Sequence, residues 1–334
     1  MTAPVNEPVA HIPVLRDEVV SSLAPIDSDI ILDGTFGAGG YSRAILDNAK
    51  ATVYAIDRDP SAVERGRAME REYAGRFHVL EGCFSQMESL LAGCGVDKVN
   101  GVVLDVGVSS MQLDEAERGF SFSSDGPLDM RMSSAGMSAA DVVNEYDEER
   151  LAEIFKEYGE EKHAGLIARS IVKDRAEVPF TRTAELAGMV ERVLRPFQKS
   201  SWKKGKKKTH PATKIFQALR IYVNDELGEL ERGLNAAKRI LAPGGRLALV
   251  SFHSLEDRMV KQFLLNESGN APKGSRHLPD PSASSSNFAF KLLKKGTIKA
   301  SEKELLDNPR ARSARLRVAL RLDDTSPLAE GLRA

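Results

Sequence analysis

Short apolar runs alternate with amphipathic stretches along the first hundred residues of the chain. An apolar run at 30–32 ends at Asp33, and after a glycine-rich turn the spacing predicts a helix over 41–48. The pattern repeats with a strand at 52–56 and a charged helix around 61–73. This order is typical of βαβ units, so the chain is predicted to belong to the α/β class with a largely parallel sheet.

Four more apolar runs predict further strands, at 77–80, 99–104, 247–252 and 316–322. The run at 99–104 is β-branched and apolar throughout its middle, as expected of a strand covered on both faces. A helix before the fifth strand is predicted to end at the Pro-Gly-Gly of 243–245.

The pattern changes after about Asp114, where strand-like runs give way to helical spacing. One example is Leu151, Ile154, Phe155 and Tyr158, which are spaced i, i+3, i+4 and i+7. We therefore predict an all-helical domain at 114–210, inserted into a discontinuous α/β domain formed by 11–113 and 211–324. Three segments are expected to be flexible: the two termini, 1–10 and 325–334, and the Ser- and Pro-rich stretch of about 269–287.

The bulk composition narrows the class of protein. Hydrophobic residues make up 42% and charged residues 28%, which is ordinary for a globular chain. No apolar run approaches the roughly 18 residues of a membrane helix, and no secretory leader is evident, so a cytoplasmic protein without a membrane partner is expected. Cys83 and Cys94 form no C-x-x-C pair, so neither a disulfide framework nor a metal site is expected.

The charge distribution bears on nucleic-acid binding. A net charge of -1 argues mildly against an RNA partner, but five lysines crowd the segment 203–208. Lys203 and Lys206, with Trp202 beside them, are candidate contacts to RNA phosphates and bases. A solvated loop explains the same run equally well.

The turn at 33–40, Asp-Gly-Thr-Phe-Gly-Ala-Gly-Gly, follows the first strand, where open α/β sheets bind ligands. Asp57 ends the second strand, where an acid can accept the ribose hydroxyls of a nucleoside. The dinucleotide pattern G-x-G-x-x-G is incomplete because Ser42 stands at its third glycine. S-adenosylmethionine is therefore favoured over a nicotinamide cofactor, which stays as an alternative.

The fourth strand ends in Asp105-Val-Gly-Val-Ser109-Ser at the same ligand-binding edge. Asp105, or a carbonyl beside it, could orient an amine for in-line methyl transfer and help take its proton. Alternatively, Asp105 only caps the next turn. Ser109 and His253, which follows the fifth strand, complete the candidate catalytic set, although His253 is as readily a structural histidine. Neither cysteine is expected at this edge, which favours amine over ring-carbon methylation.

Eight stretches of the chain carry a resemblance to a known family. They are 11–15 (HIPVL), 55–60 (AIDRDP), 104–110 (LDVGVSS), 118–122 (RGFSF), 125–132 (DGPLDMRM), 210–213 (HPAT), 251–258 (SFHSLEDR) and 308–313 (NPRARS). In these stretches the sequence resembles the ribosomal RNA small-subunit methyltransferase H family, also called MraW. The resemblance implies a class I, Rossmann-like methyltransferase with a mostly parallel seven-stranded sheet and an inserted helical domain.

The same resemblance implies N4-methylation of a decoding-centre, P-site cytosine in 16S rRNA, with the rRNA expected to be part of the small ribosomal subunit. It implies S-adenosylmethionine contacts, by position, at Gly39, Gly40, Tyr41, Asp57, Phe84, Asp105 and Gln112. Tyr41 and Met111 depart from the family, which commonly has histidine and proline there. Asp125, Asp129 and Arg131 are candidates for the pocket of an extruded base, with a salt-bridged turn as the alternative.

Other functions stay open on the sequence alone. An NAD-dependent oxidoreductase would bind nicotinamide and transfer no methyl group. A ribosome assembly factor on a methyltransferase scaffold would bind the small subunit without turnover, and a third alternative is transfer to protein. The sequence leaves undecided whether the chain forms a homodimer.

Overall fold

The computed structural model describes residues 13–133, 135–198, 210–270 and 288–323. Within these residues seven strands form one sheet: β1 (Ile30–Asp33), β2 (Thr52–Asp57), β3 (Phe77–Glu81), β4 (Val99–Asp105), β5 (Leu241–Ser251), β6 (Phe290–Leu292) and β7 (Arg315–Arg321). Their order is β3-β2-β1-β4-β5-β7-β6. The neighbours from β3 to β5 are parallel, whereas β7 is antiparallel to both β5 and β6. The predicted α/β class with a mostly parallel seven-stranded sheet is confirmed.

The helices in the described residues are α1 (Arg16–Leu23), α2 (Gly40–Asn48), α3 (Pro60–Glu72), α4 (Met87–Gly93), α5 (Ser110–Asp114), α6 (Ala139–Glu145), α7 (Glu148–Glu157), α8 (Ala164–Arg175), α9 (Thr183–Leu194), α10 (Thr213–Asn224), α11 (Glu226–Ile240), α12 (Ser254–Glu267) and α13 (Glu302–Asp307). Helix α3 shows why the sequence starts a helix there. The Asp59 side chain accepts from the Ser61 amide, and Pro60 occupies the first turn, where its missing N–H leaves no bond unmade.

By packing, the chain divides into two units, 1–107 with 229–334 and 108–228. The first unit contains the sheet, with one apolar cluster that includes Ile45 and Val103 and a second that includes Leu104 and Leu234. Burial of both sheet faces explains why β4 is apolar throughout its middle.

The second unit, 108–228, is helical and has its own apolar core, which includes Phe155, Ile167 and Leu219. It is longer than the predicted insert of 114–210. Residues 211–228 were predicted to belong to the α/β domain, but Ile215 and Leu219 of α10 are buried in the helical core. A helical period shows that α10 has an apolar face, not which core buries it.

The start of β5 differs from the prediction. Helix α11 ends at Ile240, and β5 begins at Leu241 rather than after the glycines of 243–245. Leu241 pairs with Val99 and Arg246 pairs with Gly101, so the intervening residues form an irregularity inside the strand. The short edge strand β6 was not predicted from the sequence. The predictions for 1–10, for most of 269–287, for 325–334 and for the lysine run concern residues outside the described ones.

Candidate active site

The candidate site of the first unit lies where parallel strands end. Asp33, Asp57 and Asp105 are the last residues of β1, β2 and β4, and these three strands are neighbours in the sheet. Parallel strands bring their carboxyl ends to one edge, so three acids that are far apart in the sequence share that edge.

Asp33 is buried and holds the glycine-rich turn that follows it. One carboxylate oxygen accepts from the Ser42 hydroxyl at 2.7 Å, and the other accepts from the Thr35 amide at 3.2 Å. Burial raises the pKa of Asp33 to about 6, although the Ser42 hydrogen bond acts in the opposite direction. Asp33 and Ser42 were not among the predicted site residues, because a strand-ending acid followed by glycine suggests a turn and no particular partner.

Asp105 is fixed through its backbone. Its amide donates to the Thr35 hydroxyl oxygen at 2.7 Å, which ties the end of β4 to the turn after β1. One side-chain oxygen, Oδ1, is buried and has no hydrogen-bond partner among the described residues. Burial raises the pKa of the Asp105 carboxyl well above its usual range, and the nearby charges of Asp33 and Glu256 raise it further. The Tyr41 side chain acts on this carboxyl in the opposite direction and lowers its pKa. Oδ1 is thus a buried acceptor on a carboxyl close to the Tyr41 hydroxyl.

Tyr41 is buried at the start of α2, and its hydroxyl donates to the Val14 carbonyl oxygen. Burial raises the pKa of the phenol well above its usual range, and the charges of Asp105 and Asp33 add to this effect. Tyr41 therefore anchors the segment before α1. Its oxygen can still accept a hydrogen bond, so the predicted contact with the amino-acid end of a cofactor stays a prediction.

Asp57 accepts two backbone hydrogen bonds, from Gly37 at 2.7 Å and from Asp59 at 2.9 Å. Burial raises the pKa of its carboxyl. An ionised carboxylate has about four acceptor positions, so these two bonds leave capacity for the hydroxyls of a ribose. The position of Asp57 beside the glycine turn suits the nucleoside contact predicted from the sequence.

The glycines of the turn are required by packing within the chain. Gly39 has a φ of 78°, and a Cβ there would lie 2.7 Å from the Phe36 ring. A Cβ on Gly40 would lie 2.7 Å from the Pro13 ring. From the sequence alone, the position of these glycines at the ligand-binding edge suggested the close approach of a ligand. The structure adds contacts with Phe36 and Pro13 that exclude a side chain by themselves.

Phe84 begins a 3-10 helix after β3 and is positioned by two glycines. A Cβ on Gly233 would lie 2.3 Å from the Phe84 ring, and one on Gly34 would lie 3.2 Å from the Phe84 Cβ. The next residue, Ser85, donates from its amide and its hydroxyl to Glu229, each at 2.8 Å. Helix α11 therefore fixes the turn that contains Phe84, and sequence reasoning missed Glu229 and Gly233 because they lie some 145 positions away.

His253 is the N-cap residue of α12. Its Nδ1 accepts from the Glu256 amide at 3.4 Å, and Glu256 accepts in return from the amides of Phe252 and His253 at 2.8 and 3.2 Å. His253 Nε2 lies 2.9 Å from Glu256 Oε1. These contacts explain His253 as a capping residue at the end of β5, and its catalytic role stays a prediction.

Ser109 and Gln112 lie in the helical unit and contact each other at the start of α5. The Ser109 amide donates to the Gln112 side-chain oxygen at 3.0 Å, and the Gln112 amide donates to the Ser109 hydroxyl at 3.2 Å. This reciprocal arrangement is a capping box. It accounts for the spacing of the two residues, and their predicted roles in catalysis and cofactor binding stay predictions.

The residues predicted to shape a base pocket form ion pairs within the helical unit. Arg131 contacts both carboxylate oxygens of Asp129, at 2.9 and 2.6 Å, and Arg182 contacts Asp125 at 2.5 Å. The Arg182 guanidinium holds the pKa of Asp125 below its usual range. The salt-bridged turn offered as the alternative is therefore present, and the substrate role of these residues stays a prediction. Lys203 and Lys206 lie outside the described residues.

Cys83 lies at the edge of the sheet where no cysteine was expected. It follows β3, so it lies at the same sheet edge as the three acids, although three strands away from Asp105. Burial raises the pKa of its thiol, and the charge of Glu229 adds to the effect. A thiol with a raised pKa is a poor nucleophile at neutral pH.

Three features define a class I, Rossmann-like methyltransferase. They are the sheet order with one antiparallel strand next to β5, the glycine turn after β1 and the acid that ends β2. Residues 8–322 match the sequence profile of the MraW methylase family, and the chain belongs to this family. The predicted cofactor, S-adenosylmethionine, is the methyl donor of such a methylase. None of the described helices is both long and apolar enough to span a membrane.

Curated relatives match almost the whole chain. The chain is 56% identical over 317 residues to the ribosomal RNA small subunit methyltransferase H of Rhodospirillum centenum, covering 95% of this chain and 94% of that protein. It is 54% identical to the protein of the same name from Brucella ovis, covering 97% and 91%. An rRNA methylase structure from Streptococcus thermophilus aligns with a TM-score of 0.39 and 9% identity over 92% of this chain and 94% of that one, too low to add to the assignment.

Proposed function

We propose that this protein transfers a methyl group from S-adenosylmethionine to the exocyclic N4 amine of a P-site cytosine in 16S rRNA. Support for the rRNA substrate comes from relatives more than 50% identical over nearly full length, which are named as small-subunit rRNA methyltransferases. Support for an amine acceptor comes from the site itself.

The observation that carries the proposal is the buried Oδ1 of Asp105, which has no partner among the described residues. An exocyclic amine is a hydrogen-bond donor, and a buried acceptor at the end of β4 is suited to receive it. When bound, the cofactor supplies an activated methyl carbon with a thioether leaving group. What the chain must add is alignment of the amine, which is worth up to about 7 to 11 kcal/mol in well-oriented reactions.

Asp105 has a second proposed role, as the group that takes a proton from the methylated amine. As the amine nitrogen bonds to the methyl carbon, it becomes positively charged and must lose one proton. In its carboxylate form, Asp105 would stabilise that charge and accept the proton. Thr35 holds the Asp105 backbone in place during this step.

Methylation at a ring carbon is less well supported. That chemistry uses a cysteine thiolate as the nucleophile. Cys94 is exposed at the end of α4, and the pKa of the Cys83 thiol is raised rather than lowered. The described cysteines therefore favour the amine of cytosine as the acceptor.

The substrate is proposed to be a whole ribosomal particle rather than free rRNA. We place the reaction in the cytoplasm and take the small ribosomal subunit as the substrate, because a helical unit of this size offers more surface than one nucleotide requires. In this scheme the helical unit, with Asp125, Asp129 and Arg131, contacts the rRNA. Lys203 and Lys206 would add phosphate contacts.

The test is nucleoside mass mapping of 16S rRNA from cells that lack the gene, complemented with wild type, Asp105→Asn or Asp97→Asn. Asp97 is an exposed acid before β4, at the opposite end of the strand. We expect N4-methylcytidine with wild type and Asp97→Asn and its loss with Asp105→Asn, while the purified Asp105→Asn protein still binds cofactor. Full methylation by Asp105→Asn would refute the assigned role of Asp105. A 16S rRNA unchanged by deletion of the gene would refute the proposed function.

A further inference from the structure

A strongly basic segment begins within β6 and ends at the first residue of β7. Between positions 291 and 315 there are eight basic and three acidic residues, whereas the whole chain has a net charge of -1. The exposed basic residues are Lys291, Lys294, Lys295, Lys299, Lys303, Arg310, Arg312 and Arg315. A local excess of five positive charges in a nearly neutral protein is a candidate anion-binding surface.

The sheet register places part of this segment at the catalytic edge. Arg315, the first residue of β7, pairs with Ser251, the last residue of β5. One position earlier in β5, Val250 pairs with Asp105 on the other side. Strands are about 4.8 Å apart, so Arg315 lies about 10 Å along the same edge from the proposed methyl acceptor site.

A backbone bridge brings a lysine next to this arginine. Ile298 and Leu316 exchange two hydrogen bonds of 2.9 Å in an antiparallel bridge. Lys299 follows Ile298 and Arg315 precedes Leu316, so these two residues leave the bridge at the same end. Two like charges side by side repel each other, and a bound anion would remove that cost.

The connection between them is also fixed at the same edge. Glu304 of α13 accepts from the Leu15 amide at 2.6 Å, close to the Val14 carbonyl that Tyr41 bonds. The following 3-10 helix, Pro309–Ser313, is anchored by the buried Ala311. Lys303 and Arg312 are exposed on these two anchored turns, so their backbone positions are defined while their charged ends face solvent.

Three of these charges have no acidic partner among the described residues, and the fourth shares one. Lys299, Lys303 and Arg312 form no ion pair with any described residue. Arg315 lies 3.9 Å from Asp257, but Asp257 is already held by Arg317 at 2.8 and 3.2 Å. By contrast, Arg43, Arg131 and many other basic residues of the chain are paired with acids.

We infer that Lys299, Lys303, Arg312 and Arg315, here called the basic rim, bind backbone phosphates of the rRNA strand that flank the target nucleotide. The inference rests on the proposed rRNA substrate. A base held at Asp105 has its neighbouring phosphates about one nucleotide away on either side, a separation of the same order as the distance to Arg315. Phosphates at that spacing can each pair with one member of the rim, whereas a single small anion would need only one or two of them.

The test compares a rim variant with a matched control in the full chain. The rim variant is Lys299→Gln, Lys303→Gln, Arg312→Gln and Arg315→Gln. The control neutralises two lysines and two arginines that are exposed elsewhere in the same unit, namely Lys50, Lys261, Arg67 and Arg71. Binding to protein-free 16S rRNA and to small subunits from cells lacking the gene is measured over a salt series, and cofactor affinity is measured by calorimetry.

Each single-strand phosphate contact contributes about 0.7 to the slope of log affinity against log salt, so loss of four contacts should lower the slope by about 3. We expect the rim variant to bind both RNA probes at least about tenfold more weakly at 0.1 M salt, with cofactor affinity unchanged and the control near wild type. Wild-type affinity and slope in the rim variant would overturn the inference. So would weaker binding to subunits with unchanged binding to protein-free rRNA, because the rim would then contact a ribosomal protein.

The same experiment separates this inference from the proposed function. If wild type transfers no methyl group to these subunits, the proposed function fails. The binding series still decides whether the rim contacts rRNA, since it requires no turnover.

Discussion

The hydroxyl oxygen of Thr35 accepts a hydrogen bond from the backbone amide of Asp105 across 2.7 Å, although the two residues are 70 positions apart. The Thr35 amide in turn donates to Asp33. This pair of bonds links the turn after β1 to the end of β4. The proposed catalytic carboxyl is therefore positioned by the same turn that is expected to bind the cofactor.

Replacing Thr35 by valine keeps the side-chain shape and removes the acceptor for the Asp105 amide. We expect kcat to fall at least about tenfold, because small displacements of an aligning group strongly slow a reaction that depends on orientation. Cofactor affinity should change little, since the hydrogen bond from the Gly37 amide to Asp57, the expected ribose contact, does not involve Thr35. Steady-state kinetics with small subunits and calorimetry with S-adenosylmethionine measure the two effects separately.

Thr35→Ser is the matched control, because it keeps the hydroxyl and loses only a methyl group. We expect it to retain most of the wild-type kcat. A valine variant as fast as the serine variant would contradict a positioning role for the Thr35 hydroxyl.

Asp33 gives a prediction about pH. Its pKa is raised from 3.8 to about 6 in the folded chain, so the native state holds this proton more tightly than the unfolded state. Its contribution to stability is therefore lost as pH rises from about 4 to about 6, and the total loss is about 3 kcal/mol. Asp105 and Asp57 shift in the same direction, whereas Asp125 shifts in the opposite one.

Asp33→Asn removes this titration and keeps an oxygen for the Thr35 amide. Urea unfolding at pH 4.5 and pH 7.5 should show that the variant loses less stability than wild type over this interval. The exposed Asp97→Asn serves as the control and should follow wild type. An equal pH dependence in Asp33→Asn and wild type would show that the Asp33 carboxyl is not the titrating group.

Gly39 and Gly75 have nearly the same left-handed backbone but differ in how closely they are packed, so alanine at each position separates the two costs. Their φ angles are 78° and 79°, but a Cβ on Gly39 would lie 2.7 Å from the Phe36 ring, whereas one on Gly75 would meet nothing within 4 Å. Gly75→Ala should lose about 1 to 2 kcal/mol of stability from the left-handed backbone alone. Gly39→Ala should lose a further 1 to 3 kcal/mol, roughly, from overpacking, together with cofactor affinity.

Thermal and urea unfolding of both variants measure the difference in stability, and calorimetry measures cofactor binding. Equal destabilisation by the two alanines would show that the contact with Phe36 relaxes without cost. Weaker cofactor binding by Gly75→Ala would show that general destabilisation, rather than the turn, governs that affinity.

The local pattern of the sequence determined much of the fold. The alternation of apolar runs and amphipathic stretches predicted β1 to β4, β7 and all of β5 except its start, because a strand buried in the sheet must be largely apolar. The cap at Asp59 and the proline after it predicted the start of α3, since both act within one helical turn. The glycine turn and the acids at strand ends located the candidate site for the same reason: each is a local feature at a known edge of the sheet.

Only the tertiary structure decided which residues support that site. The hydrogen bonds that join Asp105 with Thr35 and Ser85 with Glu229 connect positions at least 70 apart. No local spacing encodes such a pairing. The packing of α10 in the helical core and the position of Arg315 beside the end of β5 likewise depend on contacts between distant segments. Local propensity can specify a helix, a strand or a turn, but the register of the sheet determines which side chains meet at its edge.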